Sequence, residues 1–477
     1  MNRNVVLVIL DTVRKDYFDS YAPRLTERSD VSFHNCRATS SWSVPSHASI
    51  FTGQLPHQHH VHAESFGPDL NFDDAIGELS VTNSLPDHRS IGISSNIYIN
   101  DMFGFDGLFD EFHNHTIGTH RASVLFPSAF SNYRLAWEIE NRWMRYGYLL
   151  KEALTHEQPV KSLANGVWTL IGFTDQLEKL PFKKLTDDGA TVNATCAVDR
   201  ARNGSEPFFM FVNYMDAHTP HQNTRGYDQT LHSVSNTWSS SRYGREELLS
   251  TQPKDDRFVR NYRELYGTAI DYLDRVVASM IDDLMQVTAG ETTIVITSDH
   301  GHNLGYESEE YQFRHVASAS EGVMHVPLEI VNPPSGAPET VDRLFSQTDL
   351  YELLEALADD RWPADLGDDW IAAESVGILG FERDSDMPEE WNRMIRCAYN
   401  DDTKYEWDSI GRRRRYTLPT DADNAQHLVE ENCDIPDEAL ALFDGPLESY
   451  KSRWEGTSSD ESFAQETEQR LKQLGYL

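Results

Sequence analysis

Three uninterrupted apolar runs stand out along the chain: residues 5–10 (VVLVIL), 208–212 (FFMFV) and 293–297 (TIVIT). Runs of this length without polar alternation predict strands covered on both faces, as in a parallel sheet. Each run ends against polar residues. Asp11 follows the first, Asn213 to His218 the second, and Ser298-Asp299-His300-Gly301-His302 the third. Open α/β sheets bind ligands beyond the carboxyl ends of their strands, so the pattern gathers these groups at one rim. Residues 90–95 read as a further strand, ending at Asn96.

Helical spacing takes over elsewhere. Tyr262, Leu265, Ala269, Leu273, Val276, Met280 and Leu284 recur every three or four residues, which predicts one long amphipathic helix whose stripe is core. Residues 120–185 are helix-like and read as an insertion, either shaping the substrate entrance or serving as scaffold. Residues 222–256 are polar and read as a mobile surface loop. From about residue 385 the pattern becomes strand-like over 394–399, 404–407 and 412–417. The expected organisation is a catalytic domain over 1–385 and a smaller subdomain with an antiparallel sheet over 386–477, with a polar helix or tail beyond residue 458. The arginine run 412–415 reads as a salt-bridged hairpin rather than a nucleic-acid patch.

The stretch Ser41 to Gly53, SWSVPSHASIFTG, reads as the pivot of the chemistry. Pro45 suits a helix's first turn and Gly53 its end, so Ser43 lies at or beside the helix N-cap. Unpaired N–H groups there favour an anion, or a nucleophile that becomes negative. A structural N-cap is the plain alternative. Asp11, Ser43, Asp299 and His300 form a mixed oxygen and nitrogen set able to hold one divalent cation, which would polarise a substrate and lower the pKa of the Ser43 hydroxyl. The imidazole leans toward Mn²⁺ or Zn²⁺; three oxygens leave Ca²⁺ and Mg²⁺ open. Asp216-x-His218-x-x-His221 has three readings. His218 binds an oxygen of an anionic ester, Asp216 and His221 hold a second metal, or the segment is a structural loop around Pro220. His315 is expected to donate to the substrate anion. The run His57, His59, His60, His62 reads as a turn packed on the active-site helix, not a metal cluster.

Composition narrows the setting. Basic residues number 41 against 77 acidic, a net charge of −36, and Arg outnumbers Lys about three to one. Such a surface repels nucleic acid and anionic membranes, and it suits a high-salt cytoplasm where self-repulsion is screened. Hydrophobic content of 39% is that of a globular protein. The apolar run at the start is too short for a membrane span, and no small-residue cleavage site follows it, so the expected compartment is the cytoplasm. Four scattered cysteines, Cys36, Cys196, Cys397 and Cys433, show no zinc spacing and read as buried free thiols.

Taken together, these motifs resemble the sulfatase family of the alkaline-phosphatase-like superfamily. Ser43-Val44-Pro45-Ser46-His47, continuing to Thr52-Gly53, is similar to the signature Cys/Ser-x-Pro-Ser-Arg. Asp11-Thr12-Val13-Arg14, Leu55-Pro56-His57-Gln58-His59, Asp216 to His221, Ser298 to Gly301 and Glu321 to Leu328 resemble further blocks in the family's order, over about residues 4–335. The resemblance implies an α/β sandwich with a central, mostly parallel sheet and a small C-terminal α+β subdomain. It implies a hydrolase of sulfate esters acting on a sulfated glycan or small molecule. Ser43, His47, His218 and His315 would be catalytic, Asp11, Ser43, Asp299 and His300 would hold the metal, and Asn96, Asp216, His218 and His221 would line the substrate.

Three departures qualify the implication. In sulfatases the signature Cys or Ser is oxidised to formylglycine, whose hydrate attacks sulfur and later expels sulfate. Here His47 replaces the signature's Arg. Thr12 stands where a second acidic ligand is usual. The Lys-x-His segment after the strand near Ile93 is absent, with Asn96 close to that place. A phosphomonoester or phosphodiester hydrolase, or a phosphoryl transferase using unmodified Ser43, is the alternative enzyme. A catalytically inactive glycan- or partner-binding paralogue is the alternative outside enzymes.

Overall fold

The computed structural model describes residues 2–66, 70–115, 151, 183–184, 186–204, 207–377, 389–419, 425–447 and 450. The helical insertion expected over 120–185 falls almost wholly outside these residues, and the tail beyond 458 entirely so.

The three apolar runs are adjacent strands. The main sheet has eight: β1 (Asn4–Leu10), β2 (Val31–Phe33), β3 (Arg89–Ser94), β4 (Glu111–Asn114), β5 (Phe208–Tyr214), β6 (Thr292–Thr297), β7 (Leu328–Val331) and β8 (Thr340–Val341). Their order is β8-β2-β7-β6-β1-β5-β3-β4. The block β6-β1-β5-β3-β4 is parallel, and β7 is antiparallel to both its neighbours. The register pairs Val5 of β1 with Phe209 and Thr293, so three carboxyl ends finish side by side.

Strand alternation divides the core into two layers. Val5, Leu7 and Ile9 join Phe209, Phe211 and Val295 on one face. Val6, Val8 and Leu10 join Met210, Val212, Ile294 and Ile296 on the other. The first layer is closed by helix α1 (Ser43–Thr52), buried at every position. The second is closed by α2 (Ala190–Arg202) and by α3 (Asp256–Val287), the long amphipathic helix foreseen in the periodicity.

A separate five-stranded antiparallel sheet follows: β9 (Ile371–Ser375), β10 (Ile395–Asn400), β11 (Thr403–Asp408), β12 (Arg413–Thr417) and β13 (His427–Glu431), in sequential order. Its first strand precedes residue 386, so the expected domain boundary falls inside this sheet. The alternation of β9 was too short and too apolar to separate it from the preceding segment. Arg412, Arg414 and Arg415 pair with Glu390, Glu310 and Glu430, the salt-bridged hairpin the acidic composition implied.

The small sheet buttresses the turn that leads into α1. Glu374 on β9 donates its N–H to Thr39 O at 2.9 Å, and its buried carboxylate receives His57 Nδ1 at 2.9 Å and Arg396 Nε at 3.0 Å. Ser375 Oγ lies 2.9 Å from Ser41 Oγ. The histidine-rich turn is therefore packing: His62 Nε2 meets Tyr450 Oη at 3.1 Å, and His59 Nε2 meets Ser49 Oγ at 3.1 Å. Residues 222–256, expected to be mobile, are pinned to the second layer by buried Val234, Trp238 and Leu248. Too few apolar residues at no regular spacing hid these anchors.

Candidate active site

Asp11 leaves β1 with its N–H bonded to Tyr214 O, which holds it at the sheet rim. Its Oδ2 accepts from Ser43 Oγ at 3.0 Å and from Asn96 Nδ2 at 2.7 Å. Asn96 Nδ2 also lies 3.2 Å from Ser43 Oγ. Ser43 is the first residue of α1, with Trp42 at the N-cap and Gly53 (φ 68°) closing the helix. Its hydroxyl thus sits among the free N–H groups of the first turn.

Asp299 follows β6. Its Oδ1 accepts from the N–H groups of Thr12, at 3.2 Å, and His300, at 2.9 Å. Thr12 reaches this position with φ 63°, a left-handed backbone unusual for a β-branched residue. The threonine in place of an acid therefore contributes a backbone donor. Its hydroxyl donates to Asp11 O. Gly301 is required by close approach: a Cβ there would stand 2.1 Å from Gly322 O.

Three atoms in this pocket lack a hydrogen-bond partner although fully buried: Asp11 Oδ1, Asp299 Oδ2 and His300 Nε2. Asp11, Asp299 and His300 offer ligand atoms within 4.8 Å of one another. Buried polar atoms are nearly always satisfied, and an acceptor-only set of two carboxylates and one imidazole is what a divalent cation satisfies. His300 Nδ1 donates to Gly301 O at 2.9 Å, which turns the Nε2 lone pair into the pocket. The donor set fits the cation that the sequence implied.

The electrostatics agree. Burial, and then the charge of Asp299, push Asp11 well above the usual carboxylate range. Asp299 is buried too, yet the neighbouring His300 and His47, the Ser43 hydroxyl and the Thr12 N–H hold it below that range. Two facing carboxylates without a cation share a proton; a bound cation takes its place.

His47 lies one turn along α1. Its Nδ1 donates to Ser43 O at 2.7 Å, and its Nε2 accepts from Asn213 Nδ2 at 3.1 Å. Burial lowers its pKa, against the opposing pull of the Asp299 charge. Asn213, at the end of β5, was overlooked as a site residue. Its only signal was its place beside Asp216 and His218 at a strand end.

The structure brings His315 and His218 to the same pocket. The His300 and His315 rings are 4.4 Å apart, and His315 and His218 are 5.7 Å apart. His218 Nδ1 meets Thr219 O and His315 Nδ1 meets Ser41 O, each at 2.7 Å. Burial lowers both, His218 to about 4.

Asp216 and His221 diverge from this cluster. Asp216 Oδ1 accepts from Asp188 N at 2.9 Å, while the His221 ring packs edge-on to Tyr262 at 4.6 Å. Among the described residues, the sets of three potential metal ligands are Asp11/Asp299/His300 and His113/His115/Cys196. The second metal considered at Asp216 and His221 has no assembled ligand set, because residue spacing alone does not show which way a post-strand loop turns its side chains.

A family model, Sulfatase, matches residues 3–359. The chain belongs to the sulfatase family. Human (Homo sapiens) iduronate 2-sulfatase is 27% identical over 202 residues, 36% of each chain, so that match spans about a third of the relative's length. Among solved structures, BT1596, a 2-O GAG sulfatase, superposes with a TM-score of 0.57 at 14% identity, covering 97% of this chain and 96% of its own. The phosphonate monoester hydrolase of Agrobacterium radiobacter also superposes at 0.57, with 16% identity, covering 89% and 91%. These structural likenesses establish the alkaline-phosphatase-like fold. Among the described residues, no helix is long and apolar enough to cross a membrane.

Proposed function

We propose that the chain is a metal-dependent hydrolase of sulfate esters, with Ser43 or its oxidised form as nucleophile. The observation that carries this reading is the trio of orphaned buried ligand atoms on Asp11, Asp299 and His300, opening beside Ser43 Oγ at a helix N-terminus. Family membership supports sulfate as the transferred group.

Asp11, Asp299 and His300, with Ser43 Oγ, would hold the cation. When bound it supplies charge stabilisation at a non-bridging oxygen and a lower pKa at Ser43. Ser43 Oγ passes its proton to Asp11 Oδ2, 3.0 Å away, while Asn96 Nδ2 fixes the direction of the oxygen. The new bond is Oγ–S; the bond broken is S–O to the alcohol. His218 and His315 each commit Nδ1 to a carbonyl, which makes Nε2 the proton-accepting nitrogen of each neutral ring, and on this reading those atoms serve the substrate. An entering anion raises both pKa values, and the protonated Nε2 groups then stabilise its oxygens and protonate the leaving one. With an unmodified serine, water completes turnover at sulfur. With formylglycine, the hydrate collapses to the aldehyde and releases sulfate.

One observation favours a second reading, hydrolysis of phosphate esters by an unmodified Ser43. The signature's Arg is His47, buried and held between Ser43 O and Asn213, where it has no resemblance to an exposed recognition side chain. Intact mass of the Ser43 peptide separates the chemistries, because oxidation removes two hydrogens, a loss of about 2 mass units. Aryl sulfate and aryl phosphate turnover, measured in parallel with added divalent cations, then decides the substrate. Absence of turnover on either ester, unchanged by Ser43→Ala, supports the inactive binding paralogue instead.

A further inference from the structure

A second cluster of ligand-type side chains lies on the far edge of the main sheet, apart from the hydrolytic pocket. Edge strand β4 carries Glu111 and His113, and His115 follows directly. Its N–H donates to Ser94 O at 2.7 Å, which continues the pairing with β3. Positions 111, 113 and 115 alternate by two and share one face. Helix α2 packs there and presents Cys196. His113, His115 and Cys196 offer two imidazoles and a thiol, each half-buried, with ligand atoms all within 4.8 Å.

We propose that His113, His115 and Cys196 form a second metal site, for a borderline-soft divalent cation of the Zn²⁺ type, which fastens the edge strand to α2. A tetrahedral Zn²⁺ with Zn–N about 2.0–2.1 Å and Zn–S about 2.3 Å sets its ligand atoms roughly 3.3–3.6 Å apart, so rotamer adjustments close the set. A water is the usual fourth ligand where a protein supplies three.

The partners around the rings have the character of an outer shell. His113 Nε2 meets Glu111 Oε1 at 2.8 Å, and His115 Nδ1 meets Asn193 Oδ1 at 2.9 Å. Asn193 is itself fixed, donating to Asn213 O at 2.7 Å. Glu111 is balanced by Arg89 at 3.2 Å and Arg200 at 3.0 Å. A carboxylate or amide holding each imidazole through its second nitrogen is the arrangement that orients metal-bound histidines. The donor set also differs from the hydrolytic pocket. A thiolate with imidazoles selects zinc-like ions over Ca²⁺ and Mg²⁺, whereas two carboxylates with one imidazole do not.

Co²⁺ is the probe, because a cobalt–thiolate bond gives a near-ultraviolet charge-transfer band that the thiol-free hydrolytic pocket cannot produce. The full chain, stripped with chelator and titrated with Co²⁺, is expected to develop this band and to saturate it within about two equivalents, because the hydrolytic pocket also takes up the ion. The band should persist in Asp299→Asn, vanish in Cys196→Ser, weaken in affinity about tenfold or more in His115→Ala, and be displaced by Zn²⁺. Absence of the band in folded wild-type protein at saturating Co²⁺ overturns the proposal. So does a band that survives Cys196→Ser, or an affinity unchanged by His115→Ala. Circular dichroism of each variant confirms folding, and the wild-type titration is decisive by itself.

Discussion

Ser43 Oγ donates to Asp11 Oδ2 at 3.0 Å, joining the first residue of a buried helix to the first residue past the central strand. Everything else in the pocket bears on that pair. Replacing Ser43 with Ala removes the proposed nucleophile and cation ligand while leaving the helix intact. Turnover of any ester substrate is expected to fall by about 10³-fold or more, with thermal stability nearly unchanged. Steady-state kinetics beside a melting curve test this.

Cation binding is expected to be visible in stability. Asp11 and Asp299 face each other fully buried, and a bound cation relieves their repulsion. At a free concentration about 100 times its Kd, a cation should stabilise the fold by about 2.7 kcal/mol. Chelation should reverse the gain and abolish turnover. Melting curves of Asp299→Asn should lose most of the response, any residue reflecting a site elsewhere.

His47 is expected to act by positioning. It bridges Ser43 O and Asn213 Nδ2 and is wholly buried. His47→Ala leaves Asn213 Nδ2 without its partner and opens a cavity, costing about 2–4 kcal/mol of stability. Turnover should drop about tenfold or more through kcat, with KM little changed, because the ring lies behind the nucleophile. His47→Gln, which can restore a bridge, should recover part of the loss. A KM-dominated defect would place His47 in substrate binding.

Acid should unfold this protein early. Burial, then the charges of His218 and Lys184, pull His221 down to about 3, and burial takes His62 to about 3 as well. A depressed folded pKa means the unfolded chain binds the proton first. The stabilising difference is whole above about pH 6.5 and is lost as pH falls toward 3, at about 1.4 kcal/mol per pH unit for each ring. Denaturant unfolding between pH 7 and 4 should show this slope, and His221→Asn should flatten it by about one ring's share.

The chain's patterning made the candidate centre legible where strand ends carry it. Asp11, Asp299 and His300 each follow a continuous apolar run, and Ser43 stands beside a proline at a helix start. Asn213 was harder to place, since an Asn after a strand is common and its role depends on His47 across the sheet. The reading of Asp216 and His221 as a second metal pair, one of three that the segment allowed, finds no ligand set among the described residues, because spacing along a loop does not determine where its side chains point. Strand β9 escaped because Ala372 and Ala373 carry no alternation. His113, His115 and Cys196 lay unseen because only the packing of α2 on the edge strand brings residues 81 or more positions apart together.

The central claim is that one cation sits between Asp11, Asp299, His300 and Ser43. Anomalous diffraction from crystals soaked in Mn²⁺ tests it most directly. The account requires a peak within about 2.0–2.5 Å of Asp11 Oδ1, Asp299 Oδ2 and His300 Nε2, with the Ser43 oxygen completing the set. A saturated crystal with no peak among those atoms, or with Ser43 turned away from it, would contradict the account.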